Sequence, residues 1–386
     1  VGYYAGSEGR RNSRDNPTQA AKSDSWEELE MANIPDKIET WQMTEPGKLV
    51  RASLDVPELH GGEVLVEIAG CGICHTDLGY FYDGVPTVNK PPLTLGHEIS
   101  GTVIAGDEAW LGKDVIIPAV MPCNDCPICA DGRGNRCLAQ KMPGNSMGIY
   151  GGFSSHIVVP SLNLCLIEDR KGIPLEQFAV IADAATSPYQ ATVKAGIKPG
   201  DLTVVVGASG GLGIYATQIL LALGAKEVVA IERDPPKLET ALKYGATHAI
   251  STVGKSAREV RDEFRNYGKE KGLPNFGWKI FEWSGAGGGQ EVALELLSFV
   301  GVLIIAGFGM QKNEYQLSRL MAFDADIRGS WGCLPENYPK VLDMVLNDKI
   351  QIEPFIETRP MSTIEKAFEE AHQGTLTRRI VLTPDF

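Results

Sequence analysis

The chain has 386 residues, 43% of them hydrophobic and 22% charged. That is close to an average soluble protein with room for two or three domains, which excludes a peptide hormone, a disulfide miniprotein, a wholly disordered chain and a membrane bundle. Lys and Arg number 36 against 49 Asp and Glu, a net charge of −13; a phosphate-backbone binder needs a basic face, so nucleic acid is not an expected partner.

Residues 1–30 are a polar run without a basic-then-apolar signal. They read as a disordered extension or an expression remnant, with Met31 a candidate native start. From about residue 37 to 160, short β-like runs such as EVLVEIAG, SGTVIAG, KDVIIPAV and FSSHIVVP are broken by Gly and Pro, which predicts an irregular, mainly β domain. From about Pro188, strands and helices alternate: LTVVVG, IYATQILLALG, EVVAIE, KLETALKYG, HAI, KIFEWSG, EVALELLSFVG and VLIIAGFG. Such alternation predicts a parallel sheet covered on both faces. The 23 uncharged residues 203–225 are long enough to mimic a membrane span, but their five glycines read as strand, tight turn and helix. After Asp326 the chain is expected to leave the alternating pattern, through IRGSWG, a helix near YPKVLDMVLN, a strand near PFIETRP, a helix STIEKAFEEAHQG and a last strand RRIVLTP. Those segments are too few for a third domain and are expected to return to the first.

Four of the eight cysteines, Cys123, Cys126, Cys129 and Cys137, fall within fifteen residues. A disulfide framework would spread them; crowding points to metal and to a reducing, cytoplasmic compartment. Four thiols on one loop can close tetrahedrally on zinc, leaving no open position, so this site braces a lobe and does no chemistry. An iron–sulfur cluster fits less well, because seven residues rather than three precede the fourth cysteine and Leu138, not Pro, follows it. A second set is dispersed: Cys74, His75, Thr76 and Asp77, then Gly96, His97 and Glu98, then Asp183 in the apolar run IADAAT. A catalytic zinc takes three protein ligands and keeps one position open. Taken singly, Cys74 reads as well as a small core residue, His97 as a hydrogen-bonded histidine and Asp183 as a helix cap.

The run VVVGASGGLG passes from a hydrophobic strand through Gly207, Gly210, Gly211, Leu212 and Gly213 into an apolar helix. Glycines there let the backbone approach a pyrophosphate, whose charge a helix N-terminus stabilises. Glu232 closes the next strand, 19 residues beyond Gly213, where an acid binds a ribose 2′-hydroxyl and repels a 2′-phosphate; this favours NAD over NADP, with Arg233 next door pulling the other way. The cluster Gly285, Gly287, Gly288 and Gly289 reads equally as a flexible loop or a cofactor contact. Cys71, Cys165 and Cys333 read as buried small residues, and His60, His156, His248 and His372 form no constellation.

With GICHTD, GHE, the four-cysteine loop and GASGGLG in this order, the chain resembles the zinc-dependent alcohol dehydrogenases of the medium-chain dehydrogenase/reductase family from about residue 37 onward. The resemblance implies an α/β protein: a GroES-like, mainly β catalytic domain over residues 31–186 and 334–386, and a doubly wound Rossmann NAD-binding domain over 187–333. Two zinc ions per chain, one catalytic and one structural, and NAD are the implied cofactors. Cys74, His97 and Asp183 match the catalytic zinc ligands, Glu98 a carboxylate able to approach the metal, Asp77 the partner that orients His97, and Thr76 the hydroxyl that takes the substrate proton. His75, Lys237 and Arg378, with the glycine loop, Glu232 and Arg233, make up the implied cofactor contacts. Gly79 departs from the pattern, standing where several members carry the histidine that ends the proton chain; water, the cofactor ribose or His75 would have to serve instead. The implied reaction is oxidation of an alcohol polarised by zinc, with hydride passing to the nicotinamide.

Within the family, DLGYFYDGVPTVNKPPLTLGHEISG and GRGNRCLAQKMPGNSMGIYGGFSSHIVVP are most similar to the branch that oxidises 6-hydroxycyclohex-1-ene-1-carbonyl-CoA to its 6-oxo product in anaerobic benzoyl-CoA degradation. That makes a cyclic hydroxy acyl-CoA thioester the expected substrate, although no clustered basic motif marks a CoA phosphate site. A simpler primary, secondary or benzylic alcohol is the alternative within the enzyme class, and a non-catalytic nucleotide-binding zinc protein the alternative outside it. Family analogy further implies a homodimer or homotetramer joined near VLIIAGFG to IRGSWG, with no membrane partner.

Overall fold

The computed structural model describes residues 34–386, so the extension expected over 1–30 and the candidate start at Met31 lie outside the described residues. In chain order the strands are β1 (Lys37–Glu45), β2 (Lys48–Asp55), β3 (Glu63–Gly72), β4 (Leu93–Thr94), β5 (Glu98–Gly106), β6 (Asp114–Ile117), β7 (His156–Pro160) and β8 (Cys165–Ile167), then β9 (Leu202–Val206), β10 (Glu227–Glu232), β11 (His248–Ser251), β12 (Lys279–Glu282), β13 (Val302–Ile305) and β14 (Asp326–Gly329), and last β15 (Ile356–Pro360) and β16 (Arg379–Thr383).

Two sheets belong to the mainly β part. The hairpin β1–β2 carries β4 on its free edge, while a seven-stranded sheet runs β15–β16–β3–β5–β6–β8 with β7 added along β3. Val64, Leu65 and Val66 of β3 and Ile99 and Val103 of β5 are fully buried. Each such side chain contributes about 1.5–3 kcal/mol relative to exposure. The C-terminal strands join this sheet through antiparallel pairing of Val381 with Gly72 and Leu382 with Cys71. The helix Ile364–His372 then packs on the helix His75–Phe81, Phe368 lying edge-on to Phe81 at 5.3 Å between ring centroids. That contact anchors the segment that follows Cys74.

The second unit of architecture is a six-stranded parallel sheet in the order β11–β10–β9–β12–β13–β14. Every residue of β9 (LTVVV) is buried, as expected of a central strand covered on both faces. Strand order reverses between β9 and β12, and at such a switch point the loops leaving the carboxyl ends diverge to open a crevice. The chain is thus a GroES-like β domain combined with a Rossmann sheet.

Two segments depart from the sequence expectation. IRGSWG does not leave the alternating pattern: Asp326–Gly329 is the sixth parallel strand, paired with β13 from Val302–Asp326 to Ile305–Gly329. It is an edge strand, largely exposed and polar, so it lacks the hydrophobic run that marks its neighbours. The helix Ala257–Glu270 was not anticipated either, although Ser256 and Glu259 form a reciprocal capping box at its start. Among the described residues no helix is long and apolar enough to cross a membrane.

Candidate active site

The site begins with two glycines that let strands approach. A Cβ at Gly72 would stand 2.2 Å from Glu98 Oε2, and one at Gly96, whose φ is +95°, would stand 2.7 Å from Cys71 Sγ. Glycine at 96 therefore lets the chain turn tightly before β5 and set His97 and Glu98 beneath the end of β3. Cys74 caps the helix His75–Phe81 in extended conformation. Asp77, fully buried, organises both segments: Oδ2 accepts from Cys74 N at 3.0 Å, while Oδ1 accepts from Gly96 N at 3.1 Å and lies 3.2 Å from His97 Nδ1.

Asp183 arrives from the end of the tight helical stretch Leu175–Ala182. Its Oδ2 lies 3.7 Å from His97 Nε2 and 3.7 Å from Cys74 Sγ, and its Oδ1 accepts the Ser187 hydroxyl. Donor atoms of Cys74, His97, Glu98 and Asp183 all fall within 4.8 Å of one another. Burial works against a charged His97, yet the Asp77 carboxylate and hydrogen bonds to Asp183, Asp77 and Cys74 raise its pKa well above the ordinary value. Burial also pushes Asp183 up, but His97 holds it below the usual carboxylate range. For Glu98, burial prevails over the attraction of Arg379 and lifts the carboxyl to about 7. One sulfur, one imidazole nitrogen and carboxylate oxygens are a zinc donor set. Glu98 Oε2 is buried without a hydrogen-bond partner, a cost that a cation among these four groups relieves. The residues fit the metal.

Around the second cluster, Cys126 Sγ lies 3.5 Å from Cys129 Sγ and 3.8 Å from Cys137 Sγ, and Cys137 Sγ 3.3 Å from Cys123 Sγ. Cys137 Sγ also accepts the backbone N–H groups of Cys123 and Ala139, each at 3.3 Å. Amide donors, Leu138 N–H foremost, lower the Cys126 thiol to about 6. Amide donors, Asp125 N–H foremost, lower Cys123 as well, whereas burial and the neighbouring thiols push Cys129 up to about 12; four convergent sulfurs on one loop offer zinc a closed tetrahedral site.

A cleft of about 650 Å³ joins the dispersed cluster to the glycine loop. Cys74, His75, Thr76, His97 and Asp183 line it together with Gly207, Gly210, Gly211, Leu212, Glu232, Lys237 and Arg378. Gly207 has φ +78°, and a Cβ on Gly213 would stand 1.9 Å from Gly207 O; the turn closes only because both lack side chains. Glu232 Oε1 accepts Arg233 N at 2.9 Å, and Ser209 Oγ donates to Lys237 O at 2.5 Å. Such a cradle, ending at the helix Gly213–Ala222, fits a dinucleotide. Of the residues singled out from the sequence, Asp77 and Glu98 lie buried beneath the lining, Gly213 sits behind the loop, and Arg233 is exposed outside the cleft. Thr76 Oγ1 lies 3.8 Å from Cys74 Sγ. The space beside Gly79 is bounded by Val85 and Phe308, apolar groups that offer no substitute for a histidine.

Sequence reasoning missed two groups. Arg379, neighbour of the expected Arg378, is the arginine that reaches inward: Nη1 donates to Ile73 O at 3.0 Å and to Glu98 Oε1 at 2.8 Å, and a Cβ on Gly211 would stand 2.7 Å from its Nη2. It ties the metal cluster to the glycine loop. Glu282, at the end of β12, accepts from Ser284 N at 2.8 Å, from Gly285 N at 3.1 Å and from the Ser284 hydroxyl, shaping a second cleft loop. Burial pushes its carboxyl upward, and its Oε2 has no partner.

Residues 60–169 match the alcohol dehydrogenase GroES-like domain, and residues 211–347 the zinc-binding dehydrogenase domain. D-arabinose 1-dehydrogenase (NADP(+)) of Saccharolobus solfataricus is 30% identical over 355 residues, spanning 86% of this chain and 93% of the relative. The chain belongs to the zinc-containing medium-chain alcohol dehydrogenase family. An alcohol dehydrogenase of Geobacillus stearothermophilus is 28% identical over 84% of this chain and 93% of its own. Galactitol-1-phosphate dehydrogenase of Escherichia coli superposes with a TM-score of 0.79 at 25% identity, covering 90% of this chain and all of that one. The protein is accordingly a zinc-dependent oxidoreductase acting on CH–OH groups with NAD(P), with a four-cysteine structural site and a catalytic site at Cys74 and His97. This removes the non-catalytic alternative. The named relatives act on alcohols, sugars and polyols and give no support to an acyl-CoA substrate.

Proposed function

We propose that this dehydrogenase oxidises an apolar secondary or benzylic alcohol and passes the hydride to NAD in preference to NADP. The observation that carries the reading is the convergence of Cys74, His97, Asp183 and Thr76 in one cleft with the glycine loop and Glu232. Bound by Cys74, His97 and Asp183, zinc supplies a Lewis acid that lowers the pKa of an alcohol. Asp77 holds His97 in one orientation, and the Thr76 hydroxyl takes the substrate proton outward. His75, Lys237 and Arg378, with Gly207, Gly210, Gly211, Leu212 and Gly213, hold the dinucleotide. Glu232 binds the ribose 2′-hydroxyl and repels a 2′-phosphate.

The substrate class follows from the walls. Leu78, Ala119, Val120, Met142, Phe308 and Trp331 line the cleft, and a polyol placed there would leave hydroxyls unpaired at about 1–3 kcal/mol each. An apolar ring alcohol meets no such cost. The relatives favour a simpler alcohol over a thioester. A cyclic hydroxy acyl-CoA thioester stands as the second reading, supported by the two sequence stretches around Asp77 and Arg133 and by the same apolar walls, which suit a cyclohexene ring. A homodimer or homotetramer formed through the exposed edge strand β14 completes the proposal.

The test is NADH formation by zinc-replete protein with cyclohexanol, benzyl alcohol, sorbitol and 6-hydroxycyclohex-1-ene-1-carbonyl-CoA side by side. Turnover of ring alcohols over sorbitol is expected, with NAD preferred to NADP. Sorbitol as the best substrate would overturn the reading of the walls, and a preference for NADP would overturn the role given to Glu232.

A further inference from the structure

Each zinc ligand in the cleft needs a partner that fixes its orientation. For His97 that partner is Asp77, and both side chains are buried, at 2% and 1% exposure. Asp183 is more open, its side chain 16% exposed and lining the cleft. Its backbone is held from both sides. Ala182 O accepts the Tyr338 hydroxyl at 2.6 Å and Ala119 N at 3.3 Å, and Asp183 O accepts Ser187 N at 2.8 Å as the helix Thr186–Ala195 begins. The direction of the carboxylate is a separate matter, because both oxygens of an accessible side chain can swing toward a cation. A carboxylate bound through both would fill the position that a catalytic zinc keeps open for substrate.

Ser187, four residues beyond Asp183, settles the direction. It is 7% exposed and lines the same cleft. Its hydroxyl donates to Asp183 Oδ1, which leaves Oδ2 facing Cys74 Sγ and His97 Nε2, each at 3.7 Å. Among the described residues it is the one hydrogen-bond or ion-pair partner of this carboxylate that is not itself a candidate ligand. A hydrogen bond to a charged oxygen is stronger than one between neutral groups, and a hydroxyl makes it without setting a second positive charge beside the ion.

We propose that Ser187 is a positioning residue for the catalytic metal: by occupying Asp183 Oδ1 it limits Asp183 to one metal-facing oxygen and keeps the substrate's coordination position open. The inference rests on the ligand set Cys74, His97 and Asp183 of the dehydrogenase reading and goes beyond it by assigning the residue that controls how one ligand binds. Loss of the hydroxyl costs turnover without costing metal, because the freed oxygen turns to the ion. A residue that merely supported the fold would lose both together.

The experiment compares wild type, Ser187→Ala and Ser187→Thr, each with zinc in the four-cysteine site and cobalt(II) exchanged into the dispersed cluster. Four-coordinate cobalt absorbs strongly in the visible, and a fifth ligand atom weakens that absorption several-fold. Ser187→Ala is expected to hold cobalt against graded chelator at least as well as wild type and to lose most of the visible absorption. Its kcat/KM for benzyl alcohol is expected to fall about 10–100-fold. Ser187→Thr, which keeps the hydroxyl, is expected to restore both absorption and turnover. Alanine is a better helix former than serine, so the helix is retained, and zinc held in the four-cysteine site shows that each variant is folded. A wild-type cobalt spectrum in Ser187→Ala overturns the proposal. So does early loss of cobalt from that variant, or a spectrum changed as much in Ser187→Thr as in Ser187→Ala. A wild-type cluster that takes up no cobalt removes the ligand set and the proposal with it. The expected spectral change in a protein that oxidises no alcohol leaves the role of Ser187 standing and sinks the dehydrogenase reading alone.

Discussion

Asp77→Asn changes one atom of a fully buried group. Asp77 accepts three hydrogen bonds, from Cys74 N, Gly96 N and His97 Nδ1, and an amide has only one oxygen to do so. In the better orientation the oxygen keeps Gly96 and His97 while the new NH2 group faces the Cys74 N–H, donor against donor. The loss of that bond with a buried donor left unpaired costs about 1–3 kcal/mol. The charge behind His97 disappears as well, which lowers the basicity of its outer nitrogen, so catalytic zinc affinity falls by about 10–100-fold. The assay is zinc content per chain after equilibration with graded chelator, with the four-cysteine site as internal reference. Wild type is expected to hold two ions over a range where Asp77→Asn holds one, and turnover to fall with the lost ion. Equal retention of two ions and unchanged kcat/KM in the variant would refute the orienting role.

Arg379→Ala leaves Glu98 buried without its 2.8 Å partner; urea unfolding is expected to show a loss of about 3–5 kcal/mol, partly recovered in the double variant with Glu98→Gln. Gly213→Ala places a methyl 1.9 Å from Gly207 O, and NADH fluorescence titration is expected to show at least about tenfold weaker binding while both zinc ions are retained. For Glu282 the folded carboxyl titrates above its ordinary 4.5 because of burial, so the folded state holds its proton more tightly than the unfolded chain. Its stabilising contribution is full below that value and is lost as pH rises through the folded pKa. Glu282→Gln keeps all three accepted hydrogen bonds on one oxygen, so its thermal midpoint is expected to lack that decline and to exceed wild type by roughly 2–4 °C at neutral pH; a lower midpoint would refute this.

The metal centre was legible only in part: Cys74, His97 and Asp183 each read equally as core, hydrogen-bonded or capping residues, and the resemblance is what joined them into one ligand set. Cys74 with Asp77 and Gly96 with His97 are local pairs in the chain, whereas Asp183 lies more than eighty residues beyond His97 and only folding brings it to them. Arg379 escaped notice for a physical reason. Adjacent strand residues point to opposite faces, but β16 is buried along its centre on both faces, so no polar–apolar alternation distinguishes it from Arg378. Edge strand β14 was obscured in the opposite way, by having too little buried surface to look like a strand. The helix Ala257–Glu270 carried a readable signal in Ser256 and Glu259, masked by its charge.

The pairing of β16 with β3 joins residues roughly three hundred positions apart, Val381 to Gly72, and the whole parallel sheet is made in between. During synthesis that sheet has all its strands before β16 leaves the ribosome, so it is free to fold while the β domain still lacks a central member. Closing so long a separation is slow because its entropy cost precedes the contacts that compensate it. Arg379 arrives with that last strand, and until it does Glu98 has no guanidinium to meet. The catalytic centre is therefore the part of the molecule expected to be finished last, although Cys74 and His97 are made some three hundred residues before Arg379.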